Sequence, residues 1–217
     1  MKLPVLTLAA LVAFATGQLA HAQPLRNVPN GDFSRWSTNE PVGWHTNNVY
    51  DEQGTLQQSL VAPAGTAGVR LLAKQVIYRS ETPVIDAWYG GQLSSPSIPY
   101  MPEAGKPVAL TIRYRFKPDS ADVLQAEVRL ESRDKLADHV TPNPACTCRF
   151  NSLDGPLNLS PVGNSVTLRA QFAGPDPSVR PAGCAMYVWK IRVWLTNKTT
   201  HPHTASEAII ENIRLEP

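Results

Sequence analysis

The 217-residue sequence predicts an all-β protein, a jelly-roll β-sandwich of about nine strands. Three observations lead there. Beyond Gln23 no stretch sustains a 3.6-residue apolar repeat, prolines and glycines interrupt the chain at short intervals, and three segments alternate apolar and polar residues with a period of two.

Taken in order, the expected strands are Asn30–Ser34, Thr55–Val61, Gly68–Val76, Gln92–Ile98, Val108–Phe116, Val123–Ser132, Ser165–Ala173, Tyr187–Thr196 and Ala208–Leu215. The first opens on a turn dipeptide, Asn30-Gly31, followed by Asp32-Phe33, and a Pro-Gly-bounded tryptophan, Trp44, comes soon after. The last alternates, and that alternation puts Glu211 on the face of Ile209, Ile213 and Leu215. First and last strands are expected to lie close together.

The clean alternations assign a face to each side chain. In the fifth strand Leu110, Ile112, Tyr114 and Phe116 share one face, and Thr111, Arg113 and Arg115 the other. In the sixth Leu124, Ala126, Val128 and Leu130 oppose Gln125, Glu127, Arg129 and Glu131. In the eighth Tyr187, Trp189, Ile191, Val193 and Leu195 oppose Val188, Lys190, Arg192 and Trp194. One face packs; the other is wet, rich in Arg, Glu and Gln, and carries a tryptophan the core does not need.

The connections are rich in proline, which rigidifies them and keeps strand edges from pairing with other chains. The longest, near residues 134–164, is an excursion of a length that is functional or an insertion.

Residues 1–22 have the form of a secretory signal peptide: Lys2, an apolar run from Leu3 to Thr16, and Ala20-His21-Ala22 as cleavage site. The mature chain is then a single domain, residues 23–217, secreted or periplasmic. Gly17, Gln18 and His21 interrupt the apolar run short of the roughly 20 residues a membrane span needs, so no span is expected. A formal net charge of +2, with no basic run, argues against a nucleic-acid partner. In an exported chain a disulfide is expected to join Cys184 to Cys148, or to Cys146 in its place; no histidine stands beside them at zinc-ligand spacing.

No catalytic signature is present: no G-x-S-x-G, no H-E-x-x-H, no glycine-rich loop between strand and helix. His201 and His203 read as a solvated loop pair with no third ligand in evidence. Glu127 and Glu131 lie about 13 Å apart at a rise of ~3.3 Å per residue, farther than glycoside hydrolysis requires. The chain is therefore read as a non-enzyme.

Four motifs, in order, carry a resemblance: Asn27-Val28-Pro29-Asn30-Gly31-Asp32-Phe33, Pro41-Val42-Gly43-Trp44, Gly90-Gly91-Gln92-Leu93 leading through Gly105-Lys106-Pro107 into Val108–Arg115, and Ile210-Glu211-Asn212-Ile213-Arg214-Leu215. Together they resemble the galactose-binding-like β-sandwich of the carbohydrate-binding modules that accompany bacterial xylanases and cellulases, over Asn27 to Leu215. The resemblance implies a structural calcium site using the Asp32 region and Glu211, and a packing role for Trp44. Ser34 stands where that family has glutamate and Glu211 where it has aspartate, and no catalytic domain of the kind usual in that family is expected within these 217 residues.

Sugar binding would use aromatic faces to stack on pyranose rings and Arg, Gln, Asn or Glu to bond hydroxyls. The candidates are Trp36 in the first loop, Trp88 and Tyr89 before Gly90, and Trp194 with Arg192, Arg113, Arg115, Gln125 and Glu127 on the wet face. For each residue alone the competing role is a cross-strand ion pair or an aromatic cap on the core. The expected function is that of a secreted, non-catalytic carbohydrate-binding protein. The alternative is an exported protein-interaction or cell-envelope structural protein on the same fold.

Overall fold

The computed structural model describes residues 28–78, 85–99, 108–119, 121–132, 150–151, 156–172, 187–196 and 206–216. Residues 1–22, Cys146, Cys148, Cys184, His201, His203 and most of the 134–164 connection lie outside the described residues.

In chain order the strands are β1 (Trp36–Ser37), β2 (Glu40–Pro41), β3 (His45–Thr46), β4 (Val49–Tyr50), β5 (Leu56–Gln58) and β6 (Val61–Pro63). They continue with β7 (Val69–Tyr78), β8 (Ile85–Gly90), β9 (Gln92–Ser94), β10 (Ile98–Pro99), β11 (Val108–Lys117) and β12 (Val123–Ser132). The last are β13 (Phe150–Asn151), β14 (Leu157–Leu159), β15 (Val162–Phe172), β16 (Tyr187–Thr196) and β17 (Glu207–Glu216).

Two antiparallel sheets form an all-β sandwich. The first has the order β13-β12-β16-β9-β3, with β10 beside β16 and β14 beside β12; the second has the order β15-β11-β17-β7-β6, with β8 beside β7. The long strands β11, β12, β15, β16 and β17 alternate between the sheets, so each connection crosses the sandwich, the winding of a jelly roll.

The inner faces follow the alternation. Leu110, Ile112, Tyr114 and Phe116 of β11, Leu124, Ala126 and Val128 of β12, and Trp189, Ile191, Val193 and Leu195 of β16 are all at most 4% exposed and belong to one core. Each large apolar side chain so buried contributes about 1.5–3 kcal/mol relative to exposure.

Three of the nine expected strands are not single strands, each for a local reason. Gln92–Ile98 is two strands, because Pro96 has no N–H for a ladder. Ser95, fully buried, bridges the break: its N–H donates to Ile191 O at 2.8 Å and its hydroxyl accepts from Ile191 N at 2.9 Å. Thr55–Val61 also splits, since β5 pairs with β4 and β6 with β7.

The third is Asn30–Ser34, which is a turn rather than a strand. Asn30 and Phe33 have φ of 49° and 54°, left-handed values that cost a non-glycine residue about 1–2 kcal/mol. Buried hydrogen bonds hold the turn. The Asn30 amide donates to Arg35 O and Val42 O and accepts from Arg35 N, while Trp44 Nε1 donates to Pro29 O at 3.0 Å. Phe33 and Trp44, both buried, meet at 4.9 Å between ring centroids. The turn does touch the last strand: Ile213 N donates to Gly31 O at 2.8 Å, and a Cβ on Gly31 would lie 2.3 Å from Ile213 O.

Strand β8, absent from the sequence reading, pairs with β7 and delivers the chain to a corner at Gly90-Gly91. There Gly91 N bonds Leu72 O in the second sheet, and its carbonyl accepts from Leu195 N in the first. Asn47 clamps the corner, donating to Gly90 O and accepting from Gln92 N.

Candidate functional site

The outer face of the first sheet is built from cross-strand rows. One row runs Asn158, Gln125, Trp194, Gln92; the next runs Glu127, Arg192, Ser94, His45; beyond it Arg129 faces Lys190. The antiparallel register places these side chains side by side, although they come from distant parts of the chain.

Glu127 is the anchor. Its side chain is 1% exposed, and its two oxygens take Arg192 Nη1 at 3.2 Å and Arg129 Nη2 at 2.8 Å. A buried carboxylate must be paired in this way, because taking a charge out of water costs several kcal/mol. Arg192 in turn lies over the Trp194 ring, 5.5 Å from its centroid. Gln125 accepts from Thr196 and donates to Asn158. Trp194, Arg192, Arg129, Gln125 and Gln92 are all half-buried. The result is an indole beside an ordered guanidinium and two side-chain amides.

Arg113 and Arg115, expected on this same face, lie on the outer face of the other sheet, since β11 belongs to the second sheet while β12 and β16 belong to the first. Trp36 is half-buried, packs against the core and donates from Nε1 to Phe33 O at 2.9 Å. Trp88 and Tyr89 pair along β8 with Gln75 and Lys74; Tyr89 is exposed, and the adjacent Gly90 abuts Leu195, the neighbour of Trp194. Arg129, Lys190, Gln92 and Asn158 were not singled out from sequence. Arg129 shares the alternation of Gln125 and Glu127, and that signal was available.

The expected inward carboxylate points the other way. The register of β17 against β11 passes from Asn212 opposite Arg113 to Ile210 opposite Tyr114, leaving Glu211 as an extra residue in a bulge. One inserted residue reverses the parity, so Ala208, Ile210, Ile213 and Leu215 are buried while Glu211 stands on the outer face. There its oxygens take Arg113 Nε at 2.7 Å and Arg115 Nε at 3.4 Å, and the Ser165 hydroxyl bonds it as well.

A calcium ion takes six to eight oxygen ligands. The Glu211 carboxylate is already committed to two arginines, and Asp32 is exposed with Oδ1 accepting from the Ser34 amide and hydroxyl. Asp32 lines a depression of about 250 Å3 with Asn212 and the cationic Arg214. Among the described residues no three His, Cys, Asp or Glu side chains come together as a ligand set. These residues do not fit an ion held between Asp32 and Glu211.

No family model matches the chain, and no curated protein does. Solved structures do align along most of it. The xylan-binding CBM22-1 domain of Paenibacillus barcinonensis Xyn10C is 9% identical over 86% of this chain and 90% of that chain, with a TM-score of 0.38. LamA of Zobellia galactanivorans, in complex with laminaritriose and laminaritetraose, is 11% identical over 86% and 96%, with a TM-score of 0.46. A pseudo β-1,3-glucanase of Mycobacterium tuberculosis is 10% identical over 85% and 96%, with a TM-score of 0.44.

Proposed function

We propose that this chain is an exported, non-catalytic carbohydrate-binding protein whose ligand lies on the outer face of the first sheet. The observation that carries this reading is the fixed arrangement Trp194, Arg192, Glu127. An indole face stacks on the apolar side of a pyranose ring, while guanidinium and amide groups bond its hydroxyls. Because Glu127 and the Trp194 ring already order Arg192, little side-chain entropy is lost when a ligand binds.

The same geometry favours binding over hydrolysis. Both oxygens of Glu127 accept from guanidinium groups, so neither is left open towards a glycosidic oxygen. Export rests on the form of residues 1–22.

Affinity electrophoresis through soluble xylan, mixed-linkage glucan, laminarin and galactan tests the reading. The protein is expected to be retarded by at least one neutral polysaccharide, and Trp194→Ala and Arg192→Ala to abolish the retardation with the fold intact. A folded protein that no glycan retards, or retardation indifferent to both substitutions, overturns it.

A further inference from the structure

The second sheet presents a different surface on the far side of the sandwich. Its strands β7, β11, β15 and β17 turn Arg70, Arg113, Arg115, Lys117, Arg169 and Arg214 to one outer face, and all six are exposed. Against them stand Glu207, Glu211 and Glu216, all half-buried. The face therefore carries an excess of about three positive charges, more than the formal +2 of the entire chain. No run of basic residues in the sequence announces it; the pairing of four distant strands assembles it.

The way the arginines are held is specific. Arg70 meets Glu207, Arg113 and Arg115 meet Glu211, Arg169 meets Glu216, and Arg214 meets the Asn212 amide, in every case through Nε. Nε is the donor nearest the stem, so the contacts of Arg70, Arg113 and Arg214, at 2.8, 2.7 and 2.9 Å, fix the guanidinium plane from below, while Arg115 and Arg169 stand at 3.4 and 3.6 Å from their carboxylates. The side chains of Arg113 and Arg115 stay 58% and 44% exposed, so the pairs order them without withdrawing them from solvent. On the first sheet the opposite holds: Arg129 and Arg192 spend their terminal nitrogens on Glu127.

Two bulges focus the centre of this face. Beside β11 the register shifts against β17 at Glu211 and against β15 between Tyr114 and Phe116, which brings Ser165 and Glu211 together under Arg113 and Arg115. Next to them a depression of about 440 Å3 is lined by Arg115, Lys117, Val162, Gly163, Glu207 and Ile209. It joins two cations to an apolar floor.

We infer that this face is a second binding surface, distinct from the Trp194 face, and that its ligand is a carboxylate-bearing polysaccharide. Guanidinium forks match planar carboxylates, and Glu207, Glu211 and Glu216 already occupy these arginines as internal carboxylates. Cations repeat at about 6.6 Å along β11, through Arg113, Arg115 and Lys117, and at about 9.6 Å across two strand spacings, where Arg169 and Arg214 flank Thr111 and Arg70 and Arg115 flank Ile209, an array suited to a polymer carrying repeated charges rather than to a single ion. Among the described side chains of these four strands no aromatic faces outward to stack on bases, the exposed Tyr89 lying on β8 beside them, and no apolar ridge offers itself to a membrane.

The test is retention of the full chain on immobilised polygalacturonate, with neutral galactan, anionic phosphatidylglycerol vesicles and duplex DNA as parallel arms. Polygalacturonate is expected to retain the wild type at low salt and release it as salt screens the contacts. The triple variant Arg113→Gln/Arg169→Gln/Arg214→Gln is expected to bind at least about tenfold more weakly with its melting transition kept, while Trp194→Ala binds as the wild type does. Single Arg169→Gln and Arg214→Gln variants, each about two- to fivefold weaker, carry the test should the triple variant not fold. The inference is overturned if polygalacturonate does not retain the protein, if Trp194→Ala rather than the arginine variants abolishes retention, or if vesicles or DNA bind as tightly as the polyuronate. Loss of neutral-glycan binding alone would sink the reading of the first sheet and leave this one standing.

Discussion

Glu127 and Glu211 are counterparts on opposite sides of the sandwich: each lies on the outer face of its sheet and each takes two arginines, but their side chains are 1% and 25% exposed. Burial decides how much each matters. Glu127→Gln leaves Arg129 and Arg192 against a half-buried face without their counter-charge, and is expected to cost about 2–4 kcal/mol. Glu211→Gln breaks pairs that water already screens, and should cost no more than about 1 kcal/mol. Urea denaturation of the two variants compares them directly; equal losses would mean that the Glu127 network is as solvated as the other.

The sandwich corner makes a sharper claim. A Cβ at Gly90 would stand 1.8 Å from Leu195 O, and one at Gly91 2.3 Å from Leu60 O, so in both cases the obstacle is backbone. Neither sheet can move aside without breaking the bonds Gly91 makes to both. Gly90→Ala and Gly91→Ala are each expected to destabilise by at least about 3 kcal/mol or to prevent folding. Gly163→Ala, whose Cβ would meet nothing within 4 Å, is the control and should stay within about 0.5 kcal/mol of the wild type. Native-like stability in Gly90→Ala would contradict this corner.

These positions mark what the sequence could and could not say. Alternation in β11, β12 and β16 sorted the core side chains from the outer face, although Glu127 and Val188 of that outer face are themselves buried, because a period of two is a local property and burial is not. It could not say which sheet each strand joins, so Arg113 and Arg115 were grouped with Arg192 and Trp194 although the whole core separates them. Sheet membership depends on pairings between residues as distant as Val69 and Ile210. Glu211 was misplaced for a second reason: a single bulged residue reverses every face after it, and nothing in Ile210-Glu211-Asn212-Ile213 announces the insertion. The packing role of Trp44 was legible through the resemblance, and the side chain is buried. The turn that seats Phe33 against Trp44 was not, since it relies on left-handed Asn30 and Phe33 held by bonds from the Asn30 amide to the Arg35 and Val42 carbonyls.

The same correction changes what calcium should do. Among the described residues no three His, Cys, Asp or Glu side chains come together, Glu211 is committed to Arg113 and Arg115, and the cationic Arg214 lines the depression with Asp32. Millimolar calcium is expected to leave the melting temperature unchanged to within about 1 °C, as is chelation, in both the wild type and Asp32→Asn. A clear rise with calcium that Asp32→Asn removes would show that the depression near Asp32 recruits an ion.

At the other end of the pH scale the Tyr50 phenol should report its loop. It donates to Glu40 Oε1 at 2.5 Å, an oxygen that also accepts from Thr46 at 2.7 Å. Burial first, then the hydrogen bond and the negative charge of Glu40, push its pKa up from 10.0 to about 12, while Asn48 pulls slightly the other way. A phenol that holds its proton more tightly when folded contributes stability fully present below the unfolded pKa of 10.0 and lost as pH rises towards about 12. Tyr114 is raised as well, by burial, so wild-type titration alone does not separate the two. Ultraviolet difference titration of Tyr50→Phe should lose one late-ionising phenol, and Glu40→Gln should move that phenol earlier while Tyr114 keeps its position. If Glu40→Gln leaves the late phenol where it was, burial alone holds the proton and the bond to Glu40 contributes nothing to it.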